Sequence, residues 1–178
     1  MNVDPASVLV FDTTVLSNFA ISESIGWLTE QYPRGVTVPA VRDELARGVD
    51  LGYDALTPAV DALTGGEIDV ESEASEVLQQ SYPSIQTTVD RGEAEAMAAV
   101  LEHETDAVLV TDDRVARELA AEYDLAVTGS VGLLARGIVA DALSVQTADA
   151  WLERWQTDGN YIAPVESVTE ILPEDERD

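Results

Sequence analysis

Apolar residues follow two different rhythms along this chain. In the first, they run without alternation: Val8–Phe11 and Ala107–Thr111 have nearly unbroken apolar stretches rich in Val, the pattern of strands covered on both faces. Leu125–Val127 is a shorter run of the same kind, and Val36–Val38 and Ile68–Val70, each with a polar residue at its centre, are short candidate strands. In the second, apolar residues recur every three or four positions. This predicts a helix from Thr14 to Phe19 that continues through Ser22–Gln31. Further helices are predicted over Ala40–Arg47, Tyr53–Leu63, Glu71–Gln80, Asp90–His103, Asp113–Tyr123, Ser130–Arg136 and Thr147–Gln156. Turn residues punctuate the pattern: Tyr32-Pro-Arg-Gly35 closes one helix, Pro39 opens another, and Gly65-Gly66 ends a third. Tyr82–Thr88 reads as a loop. Strand alternating with helix predicts a three-layer α/β/α sandwich around a short parallel sheet, Rossmann-like in outline. We place the main domain at residues 1–140 and a helical extension, packed on it, at 141–178. Trp151 and Trp155 share one face of the last helix.

Composition narrows the chemistry. The chain has 178 residues, no cysteine and one histidine, His103. Disulfides, thiolate catalysis and Cys-based zinc sites are therefore excluded, and a Ser-His-Asp triad has little to work with. No apolar stretch approaches the roughly 20 residues of a membrane span. The first residues, MNVDPAS, have no signal-peptide pattern, so the expected location is cytoplasmic. Charge is the outlier. Asp and Glu number 35 against 9 basic residues, all Arg, for a net charge of −26. Such self-repulsion strains a compact fold in dilute buffer and is screened in molar salt. The composition resembles that of proteins from salt-accumulating halophiles.

Several acids stand where a parallel sheet places ligands, at the carboxyl ends of strands. Asp12 ends the first strand, and Asp112-Asp113 end the Ala107–Thr111 strand. Glu44 lies one turn into the helix after Val36–Val38. Glu93 and Glu95 lie near the start of the Asp90–His103 helix. At about 100° per residue, Glu93 shares the face of Met97, Val100 and Leu101, whereas Glu95 points nearly opposite and is expected to be solvated. Converging carboxylates cannot all ionise without a cation, and an oxygen-only set suits Mg²⁺ or Mn²⁺. Each acid also has an ordinary explanation. Asp12 or Asp113 alone is a good helix N-cap, and Glu44 alone is a surface acid. Arg42, Arg91, Arg114 and Arg117 lie beside these acids in sequence, as does Arg47. Arginines suit phosphate, and they also suit pairing with nearby acids.

In sequence order, VLVFDTTVLSNF, VTVPAVRDEL, DRGEAEAMAAVLE and VLVTDDRVARELA resemble the four motifs of the PIN-domain ribonucleases. The third has the GEAEA form of a toxin-like subfamily, and VTGSVGLLARGIV resembles the segment that follows. The resemblance covers Val8 to Val139. It implies a metal-dependent endoribonuclease, the toxin of a toxin–antitoxin pair, with a metal-binding and catalytic cluster of Asp12, Glu44, Glu93 and Asp112 or Asp113. The family's Thr-x-Asp pattern favours Asp113. This chain departs from the pattern in having Glu as the third acid. Thr14 and Thr111 are candidate supporting hydroxyls, with ordinary strand-end threonines as the alternative. The implied partners are an RNA substrate, an antitoxin protein and a second copy of the chain. The Trp151/Trp155 face is a candidate for the homodimer contact, and packing on its own domain is the alternative. Two other readings compete. A haloacid-dehalogenase-like phosphatase also begins with a strand ending in Asp, but it needs an acid where this chain has Thr14. A non-catalytic PIN-like module that binds RNA or protein shares the fold.

Overall fold

A computed structural model of the protein describes residues 7–103 and 107–174. Five parallel strands form one sheet in the order β3-β2-β1-β4-β5. These are β1 (Val8–Phe11), β2 (Gly35–Thr37), β3 (Asp69–Val70), β4 (Ala107–Val110) and β5 (Ala126–Thr128). β1 and β4 lie side by side at the centre, with Phe11 opposite Val110. All eight of their residues are buried, which is why their apolar runs do not alternate. Gly35 pairs with Leu9, and a side chain there would strike the Phe11 ring, so the narrow β2 backbone fits only glycine.

Nine helices among the described residues flank this sheet. They are α1 (Thr13–Ile21), α2 (Ile25–Gln31), α3 (Pro39–Asp50), α4 (Thr57–Gly65), α5 (Ala74–Ser81), α6 (Arg91–Glu102), α7 (Arg114–Glu122), α8 (Ser130–Val139) and α9 (Val145–Asp158). The alternation of strand and helix thus yields the expected α/β architecture with a fully parallel sheet. The chain runs from β1 towards β2 on one side and from β4 towards β5 on the other. This leaves a crevice at the carboxyl ends of β1 and β4.

Two expected helices are broken. The segment from Thr14 to Gln31 is two helices, because Glu23 turns the backbone into the left-handed region at φ 57°. The Ser22 hydroxyl donates to the Asn18 and Phe19 carbonyls, and that of Ser24 to the Phe19 carbonyl, so side chains take over from the helical ladder. Tyr53–Leu63 is likewise a 3₁₀ turn, Asp54–Leu56, followed by α4. Pro58 sits in the first turn of α4, where its missing N–H costs nothing.

α9 packs back on the domain. Trp155 is fully buried, edge-on to Phe19 with ring centres 5.1 Å apart, and its indole N–H donates to the Ser22 hydroxyl at 2.9 Å. Trp151 meets Trp27 at 5.4 Å. The tryptophan face is therefore occupied by the protein's own chain.

Candidate active site

Asp12 sits where β1 turns into α1. Its N–H donates to the Val110 carbonyl at 3.1 Å, which ties it to the end of β4. Its Oδ1 accepts from Val15 N at 2.8 Å and caps α1. The capping explanation for this acid is thus correct, but it accounts for only one oxygen. Asp12 is 3% exposed. Burial pushes its pKa up to about 7. Hydrogen bonds from Thr111 and Val15 pull the other way, and the charges of Asp112 and Glu93 add to the rise.

Glu93 lies across from it, in the first turn of α6. It closes a reciprocal cap with Asp90: Glu93 N donates to Asp90 Oδ1 at 3.0 Å, and Asp90 N donates to Glu93 Oε2 at 3.2 Å. Its pKa is also pushed up to about 7, by partial burial first and then by the charges of Asp90, Asp113 and Glu44. Glu44 is exposed on α3 and accepts from the Thr13 hydroxyl at 2.6 Å.

The two aspartates after β4 part company. Asp112 accepts from Ser130 N at 2.9 Å, from the Ser130 hydroxyl at 2.5 Å and from Asn18 Nδ2 at 3.3 Å. The Tyr161 hydroxyl also donates to it. Burial nonetheless raises the Asp112 pKa above the ordinary range. Asp113 instead caps α7, its Oδ1 accepting from Ala116 N at 2.8 Å, while its N–H donates to the Thr111 hydroxyl at 3.2 Å. Thr111 is fully buried and so contacts both Asp12 and Asp113.

A cleft of about 590 Å³ opens here, with Glu93, Asp112, Asp113, Asp90, Thr14 and Tyr161 in its walls. Asp12 and Glu44 do not line it, although Asp12 is within electrostatic reach of both Asp112 and Glu93. Among the described residues, no three acidic or histidine side chains already stand close enough to enclose a metal ion. The donor set nevertheless fits a hard divalent cation. It is all oxygen, and two of its acids are pushed to about 7 in part by neighbouring negative charge, the situation a cation relieves. Mg²⁺ needs only one or two protein carboxylates, since it keeps several of its waters.

Several expectations need correction. Glu95, expected in solvent, is fully buried. It accepts from Ala40 N at 2.8 Å, at the start of α3, and pairs with Arg91 Nε at 2.8 Å. Helical face could not separate the two glutamates because α6 is buried almost all round, from Ala94 through Val100. Thr14 is exposed, and it is Thr13 that reaches Glu44. The arginines do not line the acidic cleft. Arg42 pairs with Asp43 at 2.7 Å, Arg91 with Glu95, and Arg114 with Glu118 at 3.0 Å. Arg117 donates to the Thr111 carbonyl at 3.1 Å. Asn18, Ser130 and Tyr161 are additions. Asn18 could have been found as a polar residue within the apolar run of α1. Tyr161 lies in a segment with no periodic signal.

A family model described as a PIN domain matches residues 8–175. The chain belongs to the PIN-domain family. PIN domains are in general nucleases, and they typically use divalent metals. No curated protein and no solved structure matches the chain. The match embraces all four acidic segments and also the stretch from α9 to Tyr161, which the motifs quoted above do not reach. Among the described residues of this PIN domain, no helix is long and apolar enough to cross a membrane.

Proposed function

We propose that the protein is a metal-dependent endoribonuclease that cleaves RNA phosphodiesters, and that it is the toxin of a toxin–antitoxin pair in the cytoplasm. One observation carries the nuclease reading: two carboxyls on different elements, Asp12 and Glu93, are both pushed up to about 7 at the mouth of a parallel sheet. Keeping such acids together costs stability, and a cation offsets that cost. The toxin reading rests on the GEAEA and VTGSVGLL segments.

In this reading Asp12, Asp112, Glu93 and Glu44 hold the Mg²⁺ or Mn²⁺, and Asp113 fixes the start of α7. Asp112 is preferred over Asp113 because its charge acts directly on Asp12 and because burial raises its own pKa. When bound, the ion supplies a Lewis acid that activates water and stabilises charge on the phosphate in an in-line displacement. Asn18 and Ser130 orient Asp112 by donating to it. Thr13 orients Glu44. Val15 N and Thr111 hold the Asp12 carboxyl in place at the end of β1.

The test is incubation with a pool of transcripts in molar KCl, with and without Mn²⁺. Cleavage only with Mn²⁺ supports the reading. If Mn²⁺ fails to bind and no RNA is cut, the non-catalytic module replaces it. An antitoxin partner should abolish cleavage at equimolar ratio. Sedimentation of the free chain in molar KCl reports on the homodimer.

A further inference from the structure

A second cleft, of about 730 Å³, lies beside the acidic one, against β5 and α7. The two clefts share Asp112, Tyr161 and Ile162, so they meet at one of the acids proposed to hold the metal. Val127, Val131, Pro164 and Ile171 give the second cleft an aliphatic wall. Ile162, at the seam, is 92% exposed, a large apolar side chain that contributes nothing to the core. Arg114 and Arg117 are the cations in this cleft. Arg117 spends one N–H on the Thr111 carbonyl, which anchors it and leaves its other donors.

Tyr161 is held firmly between the clefts. Its N–H donates to the Trp155 carbonyl at 3.0 Å, and its ring meets the buried Trp155 edge-on at 5.9 Å. Asn160 before it takes the left-handed conformation at φ 54°, which turns the chain into the site. Gly129 keeps the passage narrow but open. A Cβ there would stand 2.5 Å from Asp112 Oδ1 and 3.0 Å from Arg117 Nη1.

We propose that this second cleft is a subsite for one unpaired nucleobase flanking the cleaved phosphate, with the base on the aliphatic wall, Tyr161 as the partition, and Arg114 and Arg117 towards the backbone. The inference rests on the nuclease reading. The volume falls within the ordinary range for small-ligand sites, about 300–1,000 Å³. Unpaired bases are recognised by apolar and aromatic surfaces together with Arg, whereas a duplex keeps its base faces stacked. Arg117 and the continuity with the acidic cleft favour a nucleotide over an apolar peptide segment, while Arg114 is paired with Glu118 in the same lining.

The test is fluorescence anisotropy of a labelled single-stranded RNA pentamer in EDTA and molar KCl. No cleavage occurs there, and phosphate contacts are screened. An abasic residue is walked through the five positions. Ala121 lines the cleft and is exposed on α7, so Ala121→Leu fills the cleft from its surface. Ile162→Ser removes the exposed lip and guards against misfolding of the first variant; circular dichroism checks both. One abasic position should weaken wild-type binding about tenfold. Both variants should bind the intact pentamer more weakly and lose the sensitivity to that position. If the wild type is indifferent to every abasic position yet still cleaves RNA with Mn²⁺, the cleft takes no base, and a protein segment becomes the better occupant. If RNA is neither bound nor cut, the nuclease reading and this subsite fall together.

Discussion

Replacing Asp12 by Asn separates the two tasks of this residue. Asn caps a helix as well as Asp does, so α1 keeps its start at Val15 N. The charge, however, is gone. Cleavage should be abolished while the fold is kept, as measured by transcript cleavage and circular dichroism. The same variant has a pH signature. In the metal-free protein Asp12 holds its proton up to about pH 7, whereas in the unfolded chain it lets go near its ordinary value of 3.8. The folded state therefore binds the extra proton between these values, so stability falls as pH rises through this window and levels off above it. The Asp12 contribution is on the order of 4 kcal/mol. The Asp12→Asn protein should unfold at higher temperature than wild type at pH 8 and show no such advantage at pH 4. Equal wild-type and mutant melting temperatures at both pH values would remove Asp12 from a strained acidic cluster. This residue was legible in the sequence because an acid closing a buried strand is out of place unless something requires it. Glu95 was not legible. On a helix covered from all sides, periodicity no longer says which polar residue faces water, and only the neighbouring α3 start reveals its partner.

Among the elements, the link between α6 and α3 is the most informative. Glu95→Ala leaves Ala40 N–H without its acceptor and Arg91 without its buried partner. Because Arg91 is largely exposed and can turn to water, the expected loss is about 1–3 kcal/mol in urea unfolding, and not the larger cost of stranding a buried charge. A change below a few tenths of a kcal/mol would show that this contact does not fix α3. The α9 element carries a larger load. Trp155→Ala should cost about 3–5 kcal/mol, since it empties a fully buried indole site against Phe19 and Ser22. An intact melting temperature in that variant would contradict the packing. The central strands β1 and β4 were legible because their apolar runs carry no alternation. The break at 22–24 was not, because it is made by serine hydroxyls bonding back to Asn18 and Phe19 carbonyls, and these bonds leave the apolar spacing on either side almost unchanged.

At the scale of the whole molecule, the charge predicts how the protein responds to salt. With a net charge of −26, stability should rise with KCl, as the Debye length shrinks from about 10 Å at 0.1 M to about 3 Å at 1 M. Activity should rise over the same range, although RNA binding by most proteins weakens with salt, because the acidic body first has to be screened. Cleavage rate and circular dichroism measured against KCl at fixed Mn²⁺ check both. A protein that is fully folded and fastest at 0.1 M would refute the expectation. The overall charge and the α/β class could be read directly from the sequence. The site's enclosure could not, because it depends on a segment far along the chain returning to the first strand. That return has a consequence in time. Asp12, Glu44 and Glu93 are made early during synthesis, and the sheet that groups the acids needs only β1 to β5. Tyr161 and Ile162, which partition the two clefts, leave the ribosome later, after Trp155 has provided the ring against which Tyr161 rests. The boundary between the two clefts is thus completed after the sheet and the acids of the first strands have been made.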